Sequence, residues 1–210
     1  MRALLICIIC LCISATLWAQ NFEGKIVYQL NYKSKTSKFT DKQLATMLGT
    51  KQEYYVKGGD YKTINPSVLG EWHLYINQEN KYYSKKPDSD VLSWNDGASY
   101  NDPVLNSNVT KNAIKVKGYN CDELVLTCKS GVQKYYFSDS LKVDYKLYQK
   151  HKYGNYDAYT AQAKALPLKL IIETEYFTLE SVAVEIVPQV LSSDIFTLPA
   201  GLKVARKPNR

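Results

Sequence analysis

Leu166-Pro167-Leu168-Lys169-Leu170-Ile171-Ile172-Glu173-Thr174-Glu175-Tyr176, followed by a run carrying Val182, Val184 and Ile186, is the stretch that decides the fold class. Leu168, Leu170, Ile172 and Tyr176 alternate with Lys169, Glu173 and Glu175, the period of a strand with one face buried and one wet. Two long antiparallel strands follow from that pattern. Gly24 to Tyr32 repeats it, with Ile26, Tyr28, Leu30 and Tyr32 on one side, Gln29 and Asn31 on the other, and Val27 as the exception.

Between these ends the chain reads as a succession of short strands. Gln52 to Lys57, Asp60 to Ile64, Trp72 to Asn77 and Lys81 to Lys85 are separated by Gly58-Gly59, Asn65-Pro66 and Gln78-Glu79-Asn80, which are turn chemistry. Pro87 to Asn106 is dense in Asp and Asn, with Gly97 and Pro103, and reads as a long loop with a small strand at Val91 to Trp94. Ala113 to Lys117, Cys121 to Lys129 and Val132 to Ser138 form a second β block, with a hairpin turn at Ser130-Gly131. Helical signals are few: Thr40 caps Asp41 to Leu48, and Gly49 ends that helix. Asp139 to Ala165 reads as an irregular wrapping loop with at most one helical turn, and Asp194 to Pro199 closes the domain.

The N-terminus has one charge, Arg2, then an apolar run to Ile13 and small and polar residues ending at Ala19, which is the order of a secretory signal. Residues 1–19 are therefore assigned to a signal peptide, 20–204 to a single β domain, and 205–210 to a basic frayed tail. The apolar run falls below the roughly 18 residues needed to span a bilayer, so no transmembrane segment is expected in the mature chain. The expected location is the periplasm or the outer cell envelope.

Three of the 5 cysteines (Cys7, Cys10 and Cys12) lie in the signal, leaving Cys121 and Cys128. On one straight strand they would stand roughly 23 Å apart and point to opposite faces, so two separate thiols are expected rather than a disulfide. The formal charge of +7 is scattered along the chain, without the basic cluster that a nucleic-acid groove requires.

Catalytic patterns are lacking. His73 sits in a strand pattern and reads as solvent-facing, and His151 lies in the wrapping loop, where Asp144 or Asp157 could pair with it in an enzyme reading. There is no nucleophile elbow, HExxH, Walker or dinucleotide fingerprint. Asp88, Asp90, Asp96 and Asp102 do not match a calcium loop and read as solvated turns. No catalytic residue, metal or cofactor is expected. Asn108-Val109-Thr110 matches a glycosylation acceptor, a pattern frequent by chance. The distinctive feature is aromatic content, with 18 Tyr and 3 Trp, suited to a half-exposed sheet face or to lining a cavity around a greasy chain.

Several segments together, Phe22-Glu23-Gly24-Lys25-Ile26-Val27-Tyr28, Tyr54-Tyr55-Val56-Lys57-Gly58-Gly59-Asp60-Tyr61, Gly118-Tyr119-Asn120-Cys121, Lys134-Tyr135-Tyr136-Phe137 and Asp194-Ile195-Phe196-Thr197-Leu198-Pro199, make the chain resemble exported domains allied to the outer-membrane lipoprotein carrier (LolA/LolB-like) superfamily. Tyr75-Ile76-Asn77 leading to Lys81-Tyr82-Tyr83, and Leu166-Pro167-Leu168, belong to the same pattern. The resemblance implies a curved antiparallel sheet, an incomplete β-barrel, with short helices or loops over its open face and an apolar cavity for acyl chains. Carriers of that superfamily begin with a helix, whereas this chain begins with a strand.

Candidates for the concave apolar face are Trp72, Leu74, Ile76, Leu168, Leu170, Ile172, Val182, Val184 and Ile186, and candidates for its lid are Tyr145, Tyr148, Tyr153, Tyr156 and Tyr159. The expected function is non-enzymatic binding of a lipid, an acyl chain or a lipidated protein. The rival is an envelope interaction module that holds a protein partner and has a filled core.

Overall fold

The computed structural model describes residues 21–100 and 102–207. The signal-peptide assignment, with Cys7, Cys10 and Cys12, and the last three residues of the expected tail lie outside the described residues. The elements are β1 (Gly24–Ser34), α1 (Asp41–Leu48), β2 (Lys51–Lys57), β3 (Asp60–Ile64), β4 (Trp72–Ile76), β5 (Lys81–Lys85), β6 (Val91–Asp96), β7 (Val104–Val116), β8 (Tyr119–Cys128), β9 (Gly131–Lys142), α2 (Tyr156–Ala163), β10 (Ala165–Thr174), β11 (Phe177–Pro188) and β12 (Lys203–Arg206). Short 3-10 turns at Tyr145–Tyr148, Tyr153–Asn155 and Ser193–Phe196 complete the described chain. No helix among the described residues is long and apolar enough to cross a membrane.

All twelve strands join one open, curved sheet in the order β12-β6-β5-β4-β3-β2-β1-β11-β10-β9-β8-β7, which does not close into a barrel. Every pairing is antiparallel except that of β12 with β6, so the sheet is mixed. Two meanders, β2 to β6 and β7 to β11, are joined by β1, which pairs with β2 on one side and β11 on the other. The first strand thus closes a contact with residues more than 150 positions away, Gly24 opposite Pro188.

Local chemistry explains the elements. In α1, the Thr40 hydroxyl accepts from the Gln43 backbone N–H and the Gln43 side chain accepts from the Thr40 N–H, a reciprocal cap that fixes the start of the helix. Only Leu44 of this helix is buried, so α1 lies on the surface beside β1. On β1, Ile26, Tyr28 and Leu30 are buried on one face, and a register shift at Val27/Tyr28 accommodates the exception in the alternation. The shift leaves Val184 of β11 without an opposite residue, and Val184 turns out to 46% exposure.

The sheet curls toward the face that carries Tyr28, Tyr61 and Tyr135. Tyr61 on β3 and Tyr135 on β9 are five strands apart, about 24 Å along the sheet at ~4.8 Å per step. Yet three ring-to-ring steps of 5.2, 6.3 and 4.1 Å, through Tyr156 and Tyr159, join them. This face is therefore concave. The opposite face of β4 to β6 carries Trp72, Leu74, Tyr83 and Leu92, and is covered by Leu191 and Phe196 of the C-terminal segment. Beyond that cover the chain adds β12, so Ala205 and Arg206, assigned to a frayed tail from sequence, are strand residues beside β6.

Two further differences have simple causes. β7 starts at Val104, inside the expected loop, because its first half is exposed on both faces and carries no burial period. The wrapping segment holds α2 as well as two 3-10 turns, and β9 reaches further than expected, to Lys142.

Gly24 has φ +151°, and a Cβ there would fall 2.2 Å from the Val187 carbonyl oxygen, in the pairing that joins the two meanders. Gly118, with φ +86°, has open space around it. Gly24→Ala should cost about 2–4 kcal/mol, and Gly118→Ala only ~1 kcal/mol. Urea unfolding of the two variants checks the order, and equal losses would contradict it.

Candidate functional site

Strand register places one ring beside the next on the concave face. Tyr61 lies opposite Tyr75, Tyr75 opposite Tyr82, and Tyr82 opposite Asn95, across β3, β4, β5 and β6. Tyr54 of β2 stacks on Tyr61 at 5.3 Å, and Tyr61 on Tyr75 at 5.4 Å. This ladder covers one wing of the sheet with aromatic surface.

Residues 144–164 lie over the ladder. The Asp144 carboxylate accepts from the Lys146 N–H and starts the first 3-10 turn. The chain then brings in His151, whose imidazole stacks on Tyr75 at 3.9 Å with an interplanar angle of 6° and on Tyr156 at 4.9 Å. Gly154 and Asn155 are both left-handed, φ 67° and 61°, and this reversal aims α2 back across the sheet. Tyr153 stacks on Tyr82 at 5.1 Å, Tyr156 on Tyr61 at 5.2 Å and Tyr159 on Tyr135 at 4.1 Å. Aromatic pairs of this kind contribute about 0.5–1.5 kcal/mol each beyond the area they bury.

Most of the polar tips are satisfied. Tyr61 and His151 share a hydrogen bond of 2.7 Å at Nε2, and the Tyr54 and Tyr156 hydroxyls share another of 2.7 Å. Tyr148 donates to the Gly58 carbonyl, Tyr28 to that of Pro167 and Tyr159 to that of Ala165. Desolvation by burial raises the pKa of Tyr28, Tyr54, Tyr61, Tyr82, Tyr148, Tyr156 and Tyr159, so these hydroxyls stay protonated.

Three buried atoms at the contact between segment and sheet have no partner: His151 Nδ1, Asn155 Oδ1 and Asn95 Nδ2. Burial pushes the His151 imidazole down to about 3. The Gly97 carbonyl, which accepts from the Lys152 and Tyr153 N–H groups, opposes that shift from nearby without making a hydrogen bond of acceptable geometry to Nδ1. Asn155 Nδ2 donates to Cys128 Sγ at 3.3 Å, while its oxygen is left over. An unpaired buried polar group costs about 1–3 kcal/mol, so closure over the ladder is less favourable than its ring contacts alone suggest.

The residues singled out from sequence are distributed as follows. Tyr148 and Tyr159 are buried in the contact, Tyr153 and Tyr156 are half-buried in the stack, and Tyr145 lies beside it under Lys164. Leu168 joins the central cluster with Tyr28 and Tyr61, Ile186 packs half-buried against it, and Leu170 packs on the cluster around Tyr135, whereas Val182, expected on the concave face, stands opposite Gln29 and Lys169 on the other face from Leu170. Ile172 lies opposite Leu179 near the strand end, and Val184 is exposed. Trp72, Leu74 and Ile76 belong to the cluster under the C-terminal segment, on the other face of the sheet, and are not brought together with the rest.

His73 departs from its expected solvent exposure. It lies on the tyrosine face, stacked on Tyr82 at 5.3 Å, and desolvation holds it down to about 4. Cys121 and Cys128 are free, buried thiols on β8. The Asp157 carboxylate accepts from Ala158 and that of Asp144 from Lys146, while His151 bonds to Tyr61. Asp96 meets Arg206 and Asp102 holds the Ser130 turn, and no group of acidic, histidine or cysteine side chains among the described residues is arranged to hold a metal. The sheet's own contribution, Tyr54, Tyr61, Tyr75 and Tyr82, was not singled out from sequence. Its signal is a tyrosine in each of four successive short strands.

No family model matches the chain, and no curated protein matches it. Among solved structures it is similar to an uncharacterized conserved protein from Thermus thermophilus, with 10% identity over 86% of this chain and 90% of the other at a TM-score of 0.45. It is also similar to LprF from Mycobacterium bovis, with 9% identity over 80% of this chain and 89% of the other at a TM-score of 0.29. At these scores neither likeness assigns a family.

A histidine held neutral in the folded state binds its proton only on unfolding, so its contribution is complete above about pH 6.5 and is lost as pH falls toward the folded value. Between about pH 6.5 and 5, above the carboxylate range, urea stability should therefore fall with acid by up to ~1.4 kcal/mol per pH unit for each of His73 and His151. Tyr61→Phe/His151→Phe removes one of the two contributions, and its slope should be about half that of the parent. Identical slopes would show that His151 is already protonated in the folded protein.

Proposed function

We propose that the protein is a non-enzymatic binding protein of the cell envelope. It takes an extended apolar ligand, an acyl chain or a lipid, between the concave tyrosine ladder and residues 144–164, which fill the site when it is empty. The observation that carries this reading is the contact itself: a separate covering segment meets an aromatic ladder with three buried polar atoms unpaired. Opening returns those atoms to water and exposes tyrosine rings that present apolar bodies with hydroxyls at their rims. An apolar chain would recover the buried area at about 25 cal/mol per Å² before ordering costs.

Two further features support an amphiphile. A polar cleft of about 750 Å³ lies at the C-terminal end of α2, lined by Asn120, Ser140, Lys142 and Lys164 among others, with Phe137 of the aromatic cluster at its wall. Asp122, paired to Lys111, and Asp139 line it too, so it offers room and groups of both signs for a polar head whose tail runs under the segment. The resemblance to LolA/LolB-like domains points to the same ligand class, and the signal-like N-terminus points to export.

A second reading has its own observation. The tyrosine-segment contact is buried as a permanent core would be, in which case the protein acts as a partner-binding module through another surface.

Titration of the purified, delipidated protein with a fluorescent fatty acid separates the two. Saturable binding is expected, and no binding, together with no lipid co-purified from the cell, would overturn the proposal. Tyr61→Phe/His151→Phe removes both partners of a buried hydrogen bond and the unpaired Nδ1, an exchange that is neutral or stabilising for the closed form. Each ~1.4 kcal/mol gained by the closed form should weaken apparent binding about tenfold. Tighter binding by this variant, with stability raised, would exclude the segment as a lid.

A further inference from the structure

β7 ends the sheet on the side opposite β12, and among the described residues nothing pairs with its outer edge. Residues 105–112 are all exposed, Leu105 to 69% and Val109 to 40%. Edge strands are normally blunted by charge, proline or a bulge, because unpaired N–H and C=O groups invite another strand. On β7 these devices are gathered at its ends. Pro103 precedes it, and the register break between Thr110 and Ile114, with Lys111, Lys115 and the left-handed Asn112, distorts its second half. Val104 to Thr110 carries no charge and no proline, and after the extra residue at Leu105 its register with β8 is regular from Asn106 to Thr110.

The exposed stretch is nearly self-complementary. Leu105-Asn106-Ser107-Asn108-Val109 reads apolar, Asn, Ser, Asn, apolar in either direction. Antiparallel pairing of two copies about a two-fold axis at Ser107 sets Leu105 against Val109 and Asn106 against Asn108, each twice, and Ser107 against itself. The two lysines nearest the seam, one Lys111 from each copy, would stand opposite Pro103 at the far ends, so no like charges meet. Ser107 and Val109 lie opposite Leu126 and Leu124 of β8, whose side chains are buried in the cluster under α2. Val109 would thus prolong an existing apolar strip, and Leu105, the extra residue of the bulge, would cover its partner's Val109 from the end of the regular stretch.

From this we infer that β7 is a homodimerisation edge, pairing with the β7 of a second copy to make one sheet across two molecules. A second copy is the strand whose apolar and amide positions are known to match, in the register centred on Ser107. Few residues take part, and an interface below about 1,200 Å² gives reversible association.

Sedimentation of the purified protein up to concentrations on the order of 100 µM tests this. The weight-average mass should rise with concentration. Ser107→Lys sets two positive charges face to face at the axis and should leave a monomer with unchanged circular dichroism. Under oxidation, Ser107→Cys should give an interchain disulfide that the parent, with only buried Cys121 and Cys128 in the described chain, does not form. A parent that stays monomeric throughout, or a dimer indifferent to Ser107→Lys, would overturn the inference.

Discussion

The near-parallel stack of His151 on Tyr75 is the contact on which the concave side of the molecule depends. It works only while the imidazole is neutral, because a buried cation among protonated phenols would lack the water that stabilises it. The same ring spans the distance between a strand in one meander and the segment that connects β9 to β10 in the other. Sheet, stack and covering segment are therefore coupled: strand register sets the ring spacing, and the ring spacing decides where the segment can settle. β1 makes this possible by holding the two meanders in one sheet, through a pairing of Gly24 to Ser34 with Phe177 to Pro188.

Filling a concave sheet with tyrosine differs physically from filling it with leucine. Each ring carries a hydroxyl that needs a partner, and here most partners are backbone carbonyls or a second ring. Such a contact is specific in geometry: the Tyr54–Tyr156, Tyr61–His151 and Tyr148–Gly58 bonds join segment to sheet, so an apolar chain entering between them exchanges these bonds for cover of the ring faces. The unpaired atoms of His151, Asn155 and Asn95 fall where the segment meets the sheet, while a fourth, Asn65 Oδ1, lies beside Gly49 at the end of α1. Each such atom lowers the cost of opening there by part of its desolvation penalty, against the ring contacts that hold the segment down.

Much of the fold could be read from the residues. β1, α1 with its reciprocal cap, the short strands β2 to β5, and the pair β10 and β11 all follow from alternation and turn chemistry that tertiary contacts reinforce. β7 could not be read that way, because Asn106 to Lys111 meets solvent on both faces and no period survives. The choice of concave face was equally hidden. β4 buries Trp72 and Leu74 on one side and Tyr75 on the other, so the alternation is visible while its direction is not. A single bulge then left Val184 without a partner and set Val182 on the face opposite to Ile186, which no counting of twos could anticipate. The covering segment was legible as tyrosine-rich, but its helix was not, since α2 derives its order from Tyr156 and Tyr159 against the sheet and not from a strong amphipathic pattern of its own.

Native-state hydrogen exchange of residues 145–163, compared with β1 and β11, addresses the central claim that the segment is a cover separable from the sheet. If it is, its amides exchange through a partial opening at a free energy well below that of global unfolding, and a bound acyl chain alters their rates while the β1 and β11 amides keep theirs. Exchange of the segment only together with β1 and β11, at the global unfolding free energy, would contradict the account and make the tyrosine stack an inseparable part of the core.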